Sequence, residues 1–197
     1  MGEKISDRTD TTNISGTVFT LIAYIAASGL AAIFYGYLTA DIQLQQTGID
    51  RYLISEIPQR TINPFSGSIA GALIIIYGCG LGFTAGILAG FFGVILRVTS
   101  VFKFLLLGLG FGILSEYTGW VSWIYMVSEP SLLLFNPIDI FNLMQSLAEH
   151  GTFKTRYTVV NGIGLHLAWA AEALIIIGFS AYISRQFSEY QKQTLRS

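Results

Sequence analysis

From Thr61 to Leu96 the chain carries no charged residue. A charge-free run of that length is what a membrane crossing needs, because the hydrocarbon core is about 30 Å thick and a helix rises about 1.5 Å per residue. In lipid every backbone amide and carbonyl must be paired within the structure, which leaves helices and closed barrels as the only spanning forms. Three further stretches meet the same test. Thr17 to Ala40 is ended by Asp41, a third run follows Lys103 and is broken only by Glu116, and a fourth is broken only by Glu172. The expected spans are residues 17–40, 67–96, 104–127 and 157–184, in one integral membrane domain covering 1–197. The fold class expected is an all-α membrane protein: four transmembrane helices in a bundle, plus a short interfacial helix in the second outer loop.

Composition excludes other classes. Hydrophobic residues make up 52% of the 197 and charged residues 12%, where a soluble domain carries about 25% charged. Eleven Lys and Arg against twelve Asp and Glu leave a net charge of −1, so no basic field exists to bind nucleic acid. One cysteine, Cys79, permits neither an internal disulfide nor a thiolate metal site. No HExxH, GxSxG, Walker A or dinucleotide fingerprint is present. The expectation is no enzyme, no cofactor and no metal, with the lipid bilayer as the first partner. Residues 1–16 are polar and of mixed charge, and the apolar run after them is too long for a cleaved signal, so it is read as the first span.

Orientation follows Lys and Arg in the connections. Lys4, Arg8, Arg97, Lys103, Arg185, Lys192 and Arg196 fall on one side, against Arg51, Arg60, Lys154 and Arg156 on the other. This places both termini in the cytoplasm and makes spans two and three a tight hairpin. In the second outer loop, Asn136 suits a helix cap and Pro137 the first helical position. Ile140, Phe141, Leu143, Met144 and Leu147 then share one side of an amphipathic helix, which lies in the interface or folds against the bundle mouth. Trp120, Trp123 and Tyr125 fit an aromatic belt at the outer end of span three.

Helices in lipid associate through small residues that let backbones approach. Gly78, Gly82, Gly86 and Gly90 recur every fourth residue of span two, a glycine zipper that predicts a helix close along that face. Ser28, Ala32 and Gly36 of span one offer a partner stripe, and a homo-oligomer or another membrane protein is the alternative occupant.

Glu116 and Glu172 are the residues most open to function, since a charge at mid-span costs about 2.5–3.5 kcal/mol. Each sits about 12 residues, or roughly 18 Å, from the cytoplasmic edge of its span. Glu116 continues the stripe Gly108, Gly112, and Glu172 continues Gly164, Ala168. Both carboxyls are therefore expected to face helix contacts and to act as protonated hydrogen-bond donors. Trp169 and His166 lie about one and two turns from Glu172 and complete the candidate polar site. A metal site from His166, Glu116 and Glu172 lacks a further ligand and is not expected.

The stretch Glu149–Gly178 resembles a group of uncharacterised small bacterial four-span membrane proteins. The likeness rests on Gly151-Thr152-Phe153, Gly162, the motif Trp169-x-x-Glu172-Ala173 and the preceding Asn136-Pro137 helix. It implies a bacterial cytoplasmic membrane protein with a Trp/Glu pair in its last helix, and no activity. Two functions follow. The first is a non-enzymatic interaction, assembly or accessory component packing through span two. The alternative is a small proton- or cation-coupled transporter or channel subunit using Glu116 and Glu172.

Overall fold

The computed structural model describes residues 7–47, 64–128, 136–150, 153–154, 159–160 and 162–194, with side-chain surroundings for 16–40, 72–126, 136–149 and 162–193. Its elements are α1 (Asp7–Thr47), α2 (Pro64–Ile95), α3 (Val101–Ser128), α4 (Pro137–His150), β1 (Phe153–Lys154), β2 (Val159–Val160) and α5 (Gly162–Thr194). Helices α1, α2, α3 and α5 are each long and apolar enough to cross a membrane, over Gly16–Ala40, Ala72–Ile95, Val101–Met126 and Gly162–Gln193. The chain is an all-α, four-span bundle.

Burial follows the logic of lipid as solvent. Ser28, Ser115, Ser180 and Ser184 are fully buried, whereas Phe19, Leu30, Ile163 and Leu174 are more than two-thirds exposed. Large apolar side chains lose nothing by facing acyl chains, so much of the interior is left to small residues and to hydroxyls that find partners, beside Phe104, Ile124 and Ile176. The Ser28 and Ser115 hydroxyls pair at 2.6 Å, joining α1 to α3. Ser122 donates to the Ile33 carbonyl at 3.0 Å, Ser180 to Gly108 at 2.7 Å and Ser184 to Phe104 at 2.8 Å.

The largest interface is between α2 and α5, followed by α3 with α5 and α1 with α3. This corrects the expected partner of the glycine face. A Cβ on Gly82 would stand 2.6 Å from the Ile176 carbonyl oxygen, and one on Gly86 2.7 Å from that of Ser180. On Gly90 it would run into the Phe187 ring. The last helix of the same chain fills the groove. The span-one stripe packs on α3 instead, where a Cβ on Gly36 would lie 2.6 Å from the Gly119 carbonyl oxygen.

The α2–α3 connection is as tight as expected. Val98 N–H bonds the Gly93 carbonyl and Arg97 N–H that of Val94, both at 2.9 Å, while Arg97 takes φ 53°. That is a Schellman closure with arginine where glycine is usual. At the far end, the Asn136 side chain accepts from Ile138 N–H at 3.1 Å, capping α4. Of the two placements open to α4, the structure has the bundle mouth: Ile140, Leu143, Met144, Leu147 and Ala148 pack on Trp120, Trp123, Leu165 and Trp169. Phe141 departs from the expected face. It is exposed, as is Ile138, and together they form a second apolar edge turned away from the bundle.

The start of the last span also differs. Val159 and Val160 pair antiparallel with Lys154 and Phe153, and α5 begins at Gly162 with φ 53°. Consecutive β-branched residues favour the hairpin, and the positive φ suits glycine, so the helix starts after them. The predicted Gly151-Thr152 turn, Tyr157, Arg51 and Arg60 lie outside the described residues.

Candidate functional site

Span one supplies a residue that sequence reasoning missed. Tyr35 lies seven residues from Ser28, on the face that packs inward, and is almost fully buried. Its ring rests against α3 where Gly119 has no side chain: a Cβ there would come within 3.2 Å of the ring. On α2 a Cβ at Gly78 would lie 3.9 Å from the phenol oxygen. Between these two glycines the phenol crosses the bundle and donates a hydrogen bond to Glu172 Oε1 on α5.

Glu116 reaches the same place from α3. It is buried, and its Oε1 accepts a 2.7 Å hydrogen bond from Trp120 Nε1, one turn further along the helix. The Trp120 indole held by Glu116 packs on Trp169, one turn from Glu172, so both carboxyls border one aromatic group. Glu116 Oε2 is buried with no hydrogen-bond partner among the described residues.

Aromatic rings stand above the pair. Trp120 and Trp169 meet edge to face with centroids 4.8 Å apart, and Trp123 adjoins Trp120 at 5.5 Å. Trp123 is buried and Trp120 half-buried, so these rings turn toward the bundle interior. The missed signal was the spacing of Trp120 four residues after Glu116, which places both on one helix face. His166 is exposed, contacts Trp169 edge-on at 5.7 Å and is tied through Nδ1 to the Gly162 carbonyl at 2.8 Å. It belongs to the rim. Among the described residues no three His, Cys, Asp or Glu side chains could hold a metal.

The Gly164–Ala168 stripe does not pack closely as expected; both residues are exposed. In place of a tight contact there is a cavity of about 360 Å³, reached by residues of α1, α2, α3 and α5. Its wall is apolar apart from Tyr35, Thr39, Glu172 and the indoles of Trp120, Trp123 and Trp169. Ile75, Ala168 and Ala171 line it and are exposed on the outer surface, so it opens sideways between α2 and α5.

Fold and site define a multi-pass helical membrane protein with two mid-span carboxyls, Glu116 buried and Glu172 half-buried, beside a lateral cavity. No protein-family model matches the chain, and no curated protein or solved structure is significantly similar to it.

Proposed function

We propose that this is a non-enzymatic protein of a bacterial cytoplasmic membrane in which Glu116 and Glu172 form the proton- or cation-handling site of a small transporter or channel subunit. The observation that carries the reading is that two mid-span carboxyls border one aromatic-lined cavity, Glu172 held by Tyr35 and Glu116 by Trp120, with Glu116 Oε2 left unpartnered among the described residues. A purely structural pair would satisfy both carboxyls, since an unpaired buried polar atom costs about 1–3 kcal/mol. Ionisable residues retained at that cost inside a membrane mark ion or substrate paths.

Cytoplasmic termini fit the same picture. Arg97, Lys103, Arg185 and Lys192 are all exposed at the end of the bundle that holds the α2–α3 turn. An interaction or assembly role through α2 has less support, because α5 fills the groove from Gly82 to Gly90.

The test is infrared spectroscopy of the carboxyl bands in bilayers from about pH 5 to about pH 8, assigned with Glu116→Gln and Glu172→Gln. A band that titrates in this window is the expected result. Bands that stay fixed throughout would make the pair structural and return the accessory role to first place.

A further inference from the structure

We infer that the lateral cavity binds a hydrophobic organic cation drawn from the bilayer, a deepening that rests on the ion-handling reading above. Three features select this ligand class. The wall contains Tyr35, Trp120, Trp123 and Trp169, and aromatic faces attract cations, most strongly where water is excluded. Glu172 supplies an acidic group at the wall, and Glu116 holds the Trp120 indole that lines it. Among the described residues no Lys, Arg or His lines the cavity to serve an anion.

Size and access agree. A cavity of about 360 Å³ falls in the range that encloses a drug-sized molecule. A bare metal ion or hydronium would leave most of it empty and has no use for its apolar wall. The opening between α2 and α5, flanked by Ile75 and Ala171, faces acyl chains, so the ligand must be soluble in the bilayer. A neutral lipid tail would fit the apolar wall alone. It would leave the Glu172 carboxylate with the Tyr35 hydroxyl as its hydrogen-bond donor but with no counter-charge in a low-dielectric site, which is the more costly arrangement. A hydrophobic cation satisfies both parts at once.

The experiment uses tetraphenylphosphonium and tetraphenylborate, ions of nearly equal shape and opposite charge. Quenching of tryptophan fluorescence is followed in the full chain reconstituted in nanodiscs, with empty nanodiscs subtracted. Saturable quenching by the cation is expected, with none by the anion. Glu172→Gln should weaken the cation at least tenfold, and Ala171→Trp, which plugs the opening, should abolish saturation. The inference is overturned if the cation fails to saturate, if the anion binds equally, or if Glu172→Gln binds like the wild type. Should Glu172→Gln not fold, the two ions on the wild-type chain decide the matter. Saturable cation binding with no titrating carboxyl would uphold the ligand and remove the proton. Titrating carboxyls without cation binding would sink the ligand and leave the ion-handling site standing.

Discussion

The two halves of this bundle solve the problem of packing in lipid differently. Toward the α2–α3 turn the helices meet through Gly82, Gly86, Gly90, Gly108 and Gly112, where an added Cβ would collide with backbone or side chain of α5. Serines close the same half, with Ser180 and Ser184 of α5 donating to α3 carbonyls. Toward the mouth α1 and α3 still meet closely at Gly36 and Gly119, but the other residues there are large: Tyr35, Trp120, Trp123 and Trp169, with α4 packed over the indoles. Large rings between helices cannot close as tightly as glycines, and the cavity is the space that remains. The closed half is the anchor and the open half is where chemistry can reach. Each contrast can be broken by substitution.

The largest effect belongs to the closed half. Gly108→Val places its Cβ 2.6 Å from the Ala181 Cα and 2.8 Å from the Ser180 carbonyl oxygen, both backbone atoms. Neither can rotate away, so α3 and α5 must separate. A loss of at least about 3 kcal/mol is expected, read as thermal unfolding in detergent. Gly110→Val, two residues along the same helix, meets nothing and should stay within about 0.5 kcal/mol of wild type. If the two variants melt alike, close packing does not anchor this half.

A finer cut lies within the four-residue glycine series of α2. Gly82→Ala brings a methyl within 2.6 Å of the Ile176 carbonyl oxygen and should cost about 1–3 kcal/mol. At Gly78 the nearest atom stands at 3.5 Å, an ordinary contact, so Gly78→Ala should fold like the wild type. The boundary between the halves therefore falls between Gly78 and Gly82. Equal losses at both positions would erase it.

That boundary shows what the sequence makes legible. Four spans, the tight turn, the capped α4 and the inward position of Glu116 all follow from local rules about charge, spacing and capping. Spacing alone treats Gly78 and Gly82 as equivalent, because it reports that a face is small and not which helix lies against it. The occupant is set by how four helices share the available faces, so α5 and α1 could not be told apart. Tyr35 escaped for a similar reason: a tyrosine inside a span is chemically unremarked until a carboxyl on another helix comes within reach of its hydroxyl. Ser180, Ser184 and Ser188 recur every fourth residue and could have been read as an interior face of α5.

Hydroxyl bonds in the closed half are the next test. Ser184→Ala removes the 2.8 Å bond to the Phe104 carbonyl, which remains paired within its own helix, and should cost about 0.6–1.7 kcal/mol. Tyr35→Phe is the counterpart in the open half. It should shift the Glu172 carboxyl infrared band while changing unfolding by no more than Ser184→Ala does. An unchanged band would mean that the phenol does not hold Glu172 in the bilayer.

The smallest effect concerns the turn that ties α2 to α3. Arg97 sits at φ 53°, where an L-residue with a Cβ is strained by about 1–2 kcal/mol and glycine is not. The Schellman bonds from Arg97 and Val98 hold it there, and the exposed side chain makes no packing contribution that would repay the strain. What arginine adds is charge at the turn, on the side proposed above as cytoplasmic. Arg97→Gly should therefore raise stability by up to about 1 kcal/mol, somewhat less than the strain because glycine gains freedom in the unfolded chain. Arg97→Lys, which keeps both the charge and the strain, should melt with the wild type. A stability gain for lysine equal to that for glycine would show that the backbone at this turn is not strained, and that arginine is there for something other than charge.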